Sequence, residues 1–189
     1  GMDALAHCLE AYCSPLFHPL SQGIAIEGIG IVHKYLLTAF KDGKNIEARG
    51  NMLVASSMGS TAFQKGLGAI HSLSHPVGAI YNTHHGLTNA VVMPYVLLKN
   101  KEKIEERIES LARYINLPEP NFDGFMKWIL DLRNKLAVPH TLKELIKEDK
   151  RFEEMSVMAF NDPSTGGNPI KLSDKDFLHL YKDAYNGKL

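Results

Sequence analysis

Cysteine is scarce in this chain: Cys8 and Cys13 are the only two among 189 residues. Five apart on an apparent helix, they form neither a redox Cys-x-x-Cys pair nor a disulfide framework. Net charge is absent too, with 21 Lys plus Arg against 21 Asp plus Glu. No basic footprint therefore points to nucleic acid or to an anionic membrane surface. The longest apolar stretch, residues 23–40, is interrupted by Glu27, His33 and Lys34, which argues against a membrane span. No signal peptide precedes it, and with two unpaired thiols a cytoplasmic location is expected. Alternating β-branched runs bounded by turns are missing, as is any internal repeat. A dinucleotide fingerprint is missing as well. Gly66-Leu-Gly68 lacks the third glycine and the preceding strand, and Gly28-Ile-Gly30 lies inside a helix-like run.

What is present is helical periodicity. A hydrophobic fraction of 44% and a charged fraction of 22% are those of an ordinary globular protein long enough to bury a core. Ile104, Ile108, Leu111 and Ile115 recur at helical spacing with charge on the other face, and Phe125, Ile129, Leu132 and Leu136 repeat the pattern. A separate helix is expected over 86–98. Thr141 with Glu144, and Ser173 with Asp176, read as capping boxes, and Gly187 as a C-cap. Residues 162–169 form the one clear long loop. The expected fold is an all-α, multi-helix bundle, a single domain over 1–189. Small residues crowd the apolar helices of 1–100, the inner layer, whereas 101–189 are amphipathic and outer.

Four of the nine histidines, His71, His75, His84 and His85, fall within fifteen residues among apolar and small neighbours. Buried imidazoles need a partner for each ring nitrogen, and several converging suggest a transition-metal ion. Asp3 and His7, four apart, share one face if their segment is helical, and would complete the ligand set. The alternatives are a surface ion pair for Asp3 and His7, and a hydrogen-bonded core network for the cluster. His71 and His75 share a helical face, but Pro76 is expected to kink that helix and re-aim one ring. His18 and His140 look like loop or cap residues, and His33 and His179 need no ligand role.

These residues carry a resemblance. Gly-Met-Asp-Ala-Leu-Ala-His at 1–7, followed by Leu9 to Tyr12, resembles the first metal-binding segment of the iron-containing (type III) alcohol dehydrogenases, in the dehydroquinate-synthase-like superfamily. Residues 66–78, with His71 and His75, and 85–94, from His85 to Pro94, are similar to that family's histidine signature. Asn168-Pro169 after the Asp162 loop matches its tail. The resemblance covers essentially the whole chain, and is to the family's C-terminal helical domain.

The resemblance implies that Asp3, His7, His71 and His85 hold Fe2+, with Zn2+ or another divalent ion as alternatives. It implies that His75 lies near nicotinamide and substrate, as a catalytic and cofactor-binding residue and not as a ligand. The implied activity is NAD(P)-linked interconversion of a small alcohol and an aldehyde by hydride transfer, with the metal polarising the substrate oxygen. Two departures qualify it. His84 stands where the family pattern has Pro. The chain also starts at the first ligand segment, so the N-terminal α/β dinucleotide-binding domain is expected to be absent from these residues. NAD(P) is expected only with that missing domain, supplied within a longer chain or as a separate partner. Without it the chain, whether a truncated product or half of a split enzyme, is expected to be inactive. The alternative is a non-catalytic metal-binding remnant or interaction module.

Two structural expectations follow. Asp3 lies near the amino terminus, where a helix frays. Met2, Leu5, Leu9, Ile70 and Ile80, facing the missing domain, should form an exposed apolar patch, which a homodimer or larger assembly would cover.

Overall fold

The computed structural model describes residues 1–189 as eight α-helices and no strands. They are α1 (Met2–Cys13), α2 (Pro19–Lys41), α3 (Ile46–Ala62), α4 (Ala69–Tyr81), α5 (His85–Tyr114), α6 (Phe122–Lys135), α7 (Phe152–Phe160) and α8 (Asp174–Asn186). Short 3-10 turns at Phe63–Lys65, Leu142–Glu144 and Pro163–Gly167 join some of them.

Local sequence explains most boundaries. His18 caps α2 by accepting the Ser21 N–H at 3.1 Å, with Pro19 preset at the first helical position. Asn45 and Asn121 cap α3 and α6 in the same manner. The Ser173–Asp176 capping box opens α8, and Gly187 closes it in the left-handed conformation, φ 71°. The Thr141–Glu144 box is also formed, but it caps only a three-residue 3-10 turn. The helices expected over 86–98 and around 104–115 are one continuous α5 of 30 residues. Pro94 removes one N–H from α5 and Pro76 one from α4, yet both helices run on.

α1 occupies the middle, packed by α2, α3 and α5. Ten of its twelve residues are buried, so packing ties this helix down and the expected fraying does not describe it. Its neighbours come close because small residues let them. A Cβ on Gly59 of α3 would stand 3.0 Å from His7 Cβ and 3.3 Å from the Ala4 carbonyl. α4 packs between α5 and α7, α7 against α8, and α6 against α5. One continuous apolar core runs from Met2 to Ala184.

The expected apolar patch is not where the sequence suggested. Met2, Leu5, Leu9 and Ile70 are buried and Ile80 is half-buried, because α1 is enclosed on several sides. Exposed apolar side chains lie instead at Leu16, Phe17 and Leu20 and along α3 at Leu53 and Val54. α2 is long and apolar enough to cross a membrane by length and composition alone. Here it lies along α1 and α3.

Candidate metal centre

Three helices bring the candidate ligands together. α1 presents Asp3, His7 and Glu10 at i, i+4 and i+7, one face of a helix. α4 brings His71 and His75, still on one face despite Pro76. α5 begins at His85, and Gly86 lets that start approach α1, since a Cβ there would lie 2.9 Å from Asp3 Cβ.

The approach is close around Asp3, whereas His85 comes near Asp3 and His71 but stands outside the tight group that Asp3, His7 and His71 form. His85 Nε2 is 3.5 Å and His71 Nε2 4.0 Å from Asp3 Oδ1, and His7 Nδ1 is 3.8 Å from Asp3 Oδ2. Ligating atoms of Asp3, His7 and His71 all fall within 4.8 Å of one another. The rings of His7 and His71 stack at 4.5 Å. His71 is 1% exposed, His7 18%, Asp3 35% and His85 42%. The group is therefore closed at His71 and open toward His85.

Electrostatics favour a donor-ready state at Asp3, His7 and His85, but not at His71. Burial opposes ionisation of Asp3, but the Asn89 amide and the histidines around it outweigh that, and its carboxyl is held below the usual range. Burial lowers His7, with the neighbouring His71 acting in the same direction. Burial likewise lowers His85, against the pull of Asp3. An ionised carboxylate and neutral imidazoles are the protonation states a cation requires. At His71 burial is overcome by the Glu10 carboxylate, which raises its pKa.

Asn89, one turn after His85, had no role in the sequence reading. Its amide nitrogen donates to Asp3 Oδ1 at 2.7 Å and lies 3.2 Å and 3.0 Å from the Nε2 atoms of His71 and His85. Its Oδ1 is buried without a partner. One amide thus leans over three acceptor atoms, an electron-rich cage with no full positive charge in it. One carboxylate and three imidazoles form a donor set suited to Fe2+ or Zn2+, so the residues fit the metal that the family resemblance implies.

His75 lies beside His71 and His85 but makes its hydrogen bond elsewhere. Its Nδ1 meets Asp162 Oδ2 at 2.8 Å, its ring stacks on His85 at 5.4 Å, and its side chain is 42% exposed. Asp162 comes from the long loop and also accepts the Ser164 N–H at 2.8 Å. Burial raises its carboxyl, but these hydrogen bonds prevail and hold it low. His84 faces away, capping α5 by accepting the Leu87 N–H at 3.3 Å.

Sequence reasoning missed Glu10, Asn89 and the pairing of Asp162. Glu10 was signalled by its spacing from Asp3 and His7. Asn89 lies four residues after His85. Asp162, 87 residues from His75, had no local signal.

The sequence profile of the Fe-containing alcohol dehydrogenase family, C-terminal, matches residues 1–185. Among curated proteins, a 4-hydroxybutyrate dehydrogenase of Cupriavidus necator is 35% identical over 195 residues, covering 97% of this chain and 50% of its own length. Alcohol dehydrogenase 4 of Saccharomyces cerevisiae is 32% identical, covering 98% and 49%. An iron-containing alcohol dehydrogenase structure from Thermococcus thioreducens superposes with a TM-score of 0.89 at 31% identity, over 99% of this chain and 50% of the other. A 1,3-propanediol oxidoreductase structure gives 0.91 at 28%, over 97% and 50%. The chain spans about half the length of the curated relatives it matches.

Proposed function

Because this chain belongs to the Fe-containing alcohol dehydrogenase family, over that family's C-terminal domain, we propose that it is the metal-binding part of an iron-dependent, NAD(P)-linked alcohol dehydrogenase. It would act on a small alcohol or aldehyde, as one helical unit over 1–189, together with a dinucleotide-binding domain that these residues do not include. What supports the reading is the convergence of Asp3, His71 and His85 around the Asn89 amide, with His7 stacked on His71.

When bound, a divalent ion supplies polarisation of the substrate oxygen and a nicotinamide carries the hydride. The chain's own residues do the rest. Asp3 contributes the negative charge and is held in place by Asn89. His7, His71 and His85 contribute imidazole nitrogens. The Asp162 carboxylate keeps a proton on His75 Nδ1, leaving Nε2 as a bare acceptor on the exposed side of the group. That nitrogen is our candidate to take up the alcohol proton, or to return it in aldehyde reduction.

Anaerobic titration with Fe2+ or Zn2+ tests the centre. One ion per chain is expected, lost in both His71→Ala and His85→Ala; wild-type affinity in either variant overturns the assignment. The half-length match favours a second reading, metal binding without turnover. Adding the α/β half of a relative, NAD(P)H and an aldehyde separates the two, since oxidation of the nicotinamide requires the first. Self-association belongs to the proposal too, with Leu53 and Val54, beside Ile24 and Met58, as its exposed apolar face. Light scattering at high concentration that gives the monomer mass of 21.0 kDa overturns that part.

A further inference from the structure

Glu10 is a carboxylate only 7% exposed, the one charged group among the buried residues of α1. Burying such a group is costly unless its oxygens are satisfied. Both are. Oε1 accepts the Ile70 N–H at 2.6 Å, and Oε2 meets His71 Nδ1 at 2.6 Å. The Ile70 donor is fixed, because a backbone N–H cannot exchange its proton for a lone pair. An ionised carboxylate is acceptor-only, so the His71 nitrogen facing it must carry the hydrogen.

The far side of the ring is compatible with that answer. The Asn89 amide nitrogen must point a hydrogen at Asp3 Oδ1, 2.7 Å away, and that nitrogen also lies 3.2 Å from His71 Nε2. A donor on that side needs a bare Nε2. Glu10 therefore sets the tautomer, and the remaining Asn89 hydrogen, within reach of both His71 Nε2 and His85 Nε2, is consistent with it.

We infer that Glu10 is a positioning residue of the centre: it holds the His71 proton on Nδ1, so that Nε2 faces Asp3 and His85 as a free lone pair. The inference rests on the metal-centre reading proposed above. α1 then supplies two ligands together with the carboxylate that orients a third, on a different helix. Outer partners of this kind commonly set the orientation and basicity of a ligating imidazole.

The decisive comparison is Glu10→Gln against Glu10→Ala. A glutamine has one oxygen, and the Ile70 N–H claims it. Its NH2 then faces His71 Nδ1, which must accept, and the ring proton is driven onto Nε2, where it blocks coordination. An alanine leaves His71 free to choose its tautomer, and a cavity of about 20 Å³ already bounded by Glu10, Ile70 and Asn168 gives room for a replacing water. The more conservative change should therefore do more harm. For a merely structural side chain the order is reversed.

Zn2+ titration of the purified chain by calorimetry should show a loss of about 10–100-fold for Glu10→Ala. For Glu10→Gln the loss should be about tenfold greater still, as a wrongly fixed tautomer is more damaging than a free one. Nitrogen NMR of the His71 ring in the metal-free protein, at alkaline pH, should find the proton on Nδ1 in the wild type and on Nε2 in Glu10→Gln. Melting curves check that both variants fold. If the wild type binds while Glu10→Gln binds as well as Glu10→Ala, or if the wild-type proton is on Nε2, this inference alone is overturned. If the wild type takes up no Zn2+, or His71→Ala binds normally, the metal reading is overturned and this inference with it.

Discussion

Replacing Gly86 by alanine adds one methyl group where α5 begins, and the added carbon would stand 2.9 Å from Asp3 Cβ and 3.6 Å from its Cγ. Carbon atoms settle at about 3.5–4.0 Å, so α1 and α5 must separate by about 0.6–1.1 Å at this point. Asp3 Cβ is fixed to the backbone of a buried helix and has no rotamer to escape into. Overpacking of this kind costs about 1–3 kcal/mol, offset by up to about 1 kcal/mol from replacing a helical glycine. The metal-free protein should therefore lose roughly 1 kcal/mol, or about 2–4 °C in Tm for a chain of this size. The effect on metal should be larger. Metal–ligand distances tolerate only about 0.2 Å, and the forced separation falls between Asp3 and His85, whose ligand atoms are 3.5 Å apart. Zn2+ affinity should fall by about 100-fold, at or above the upper end of what lost outer partners cause. Gly50→Ala is the control, because a Cβ there meets nothing within 4 Å, and it should be neutral or slightly stabilising. An unchanged Zn2+ affinity in Gly86→Ala would refute the sharing of one ion by Asp3 and His85. A Tm that rises as in Gly50→Ala would refute the close contact itself.

Other perturbations have equally definite outcomes. His75→Ala should keep full metal stoichiometry while slowing turnover in a reconstituted enzyme, and loss of the metal in calorimetry would make His75 a ligand. Chelation should lower Tm by about 5–11 °C when metal had been present at a hundredfold excess over Kd, a linkage of about 2.7 kcal/mol; an unchanged melt with EDTA contradicts a folded-state metal site. Asp176 accepts Lys99 Nζ at 2.7 Å and the Ser173 N–H at 2.9 Å, and these hold its carboxyl far below the usual range. A carboxyl depressed in the folded state stabilises above its unfolded pKa of about 3.9 and loses that contribution as pH falls. Urea unfolding between about pH 6 and pH 3 should thus show a shallower decline for Asp176→Asn than for the wild type, and parallel declines count against the role.

Much of the helical framework could be read from short-range signals. The Ser173 box and Gly187 bound α8 as expected, because caps act within one turn. The single long α5 could not be read, since the change from apolar to charged residues near 100 suggests a break, whereas α5 packs along its length on α1, α4 and α6. Met2, Leu5 and Leu9 were legible as one apolar helix but not as an enclosed one, because enclosure depends on what α2, α3 and α5 do elsewhere. In the candidate site the ligand types and spacings were visible in the sequence. The supporting roles were not, though the spacing of Glu10 from Asp3 and His7 hinted at one. Glu10 has a purpose only beside His71, 61 residues away, and Asp162 only beside His75.

The central position of α1 has a consequence for biosynthesis. Synthesis proceeds from the amino-terminal side, so α1 leaves the ribosome long before α5, one wall of its final enclosure. At about 5–20 residues per second, the 71 residues between them take roughly 4–14 s to make. For that interval a segment destined for nearly complete burial has no finished home, and its apolar side chains are available to chaperones or to other nascent chains. Slowing translation ahead of residue 85 should lengthen this exposure, and the yield of soluble protein should respond to codon choice there more than to codon choice after residue 114.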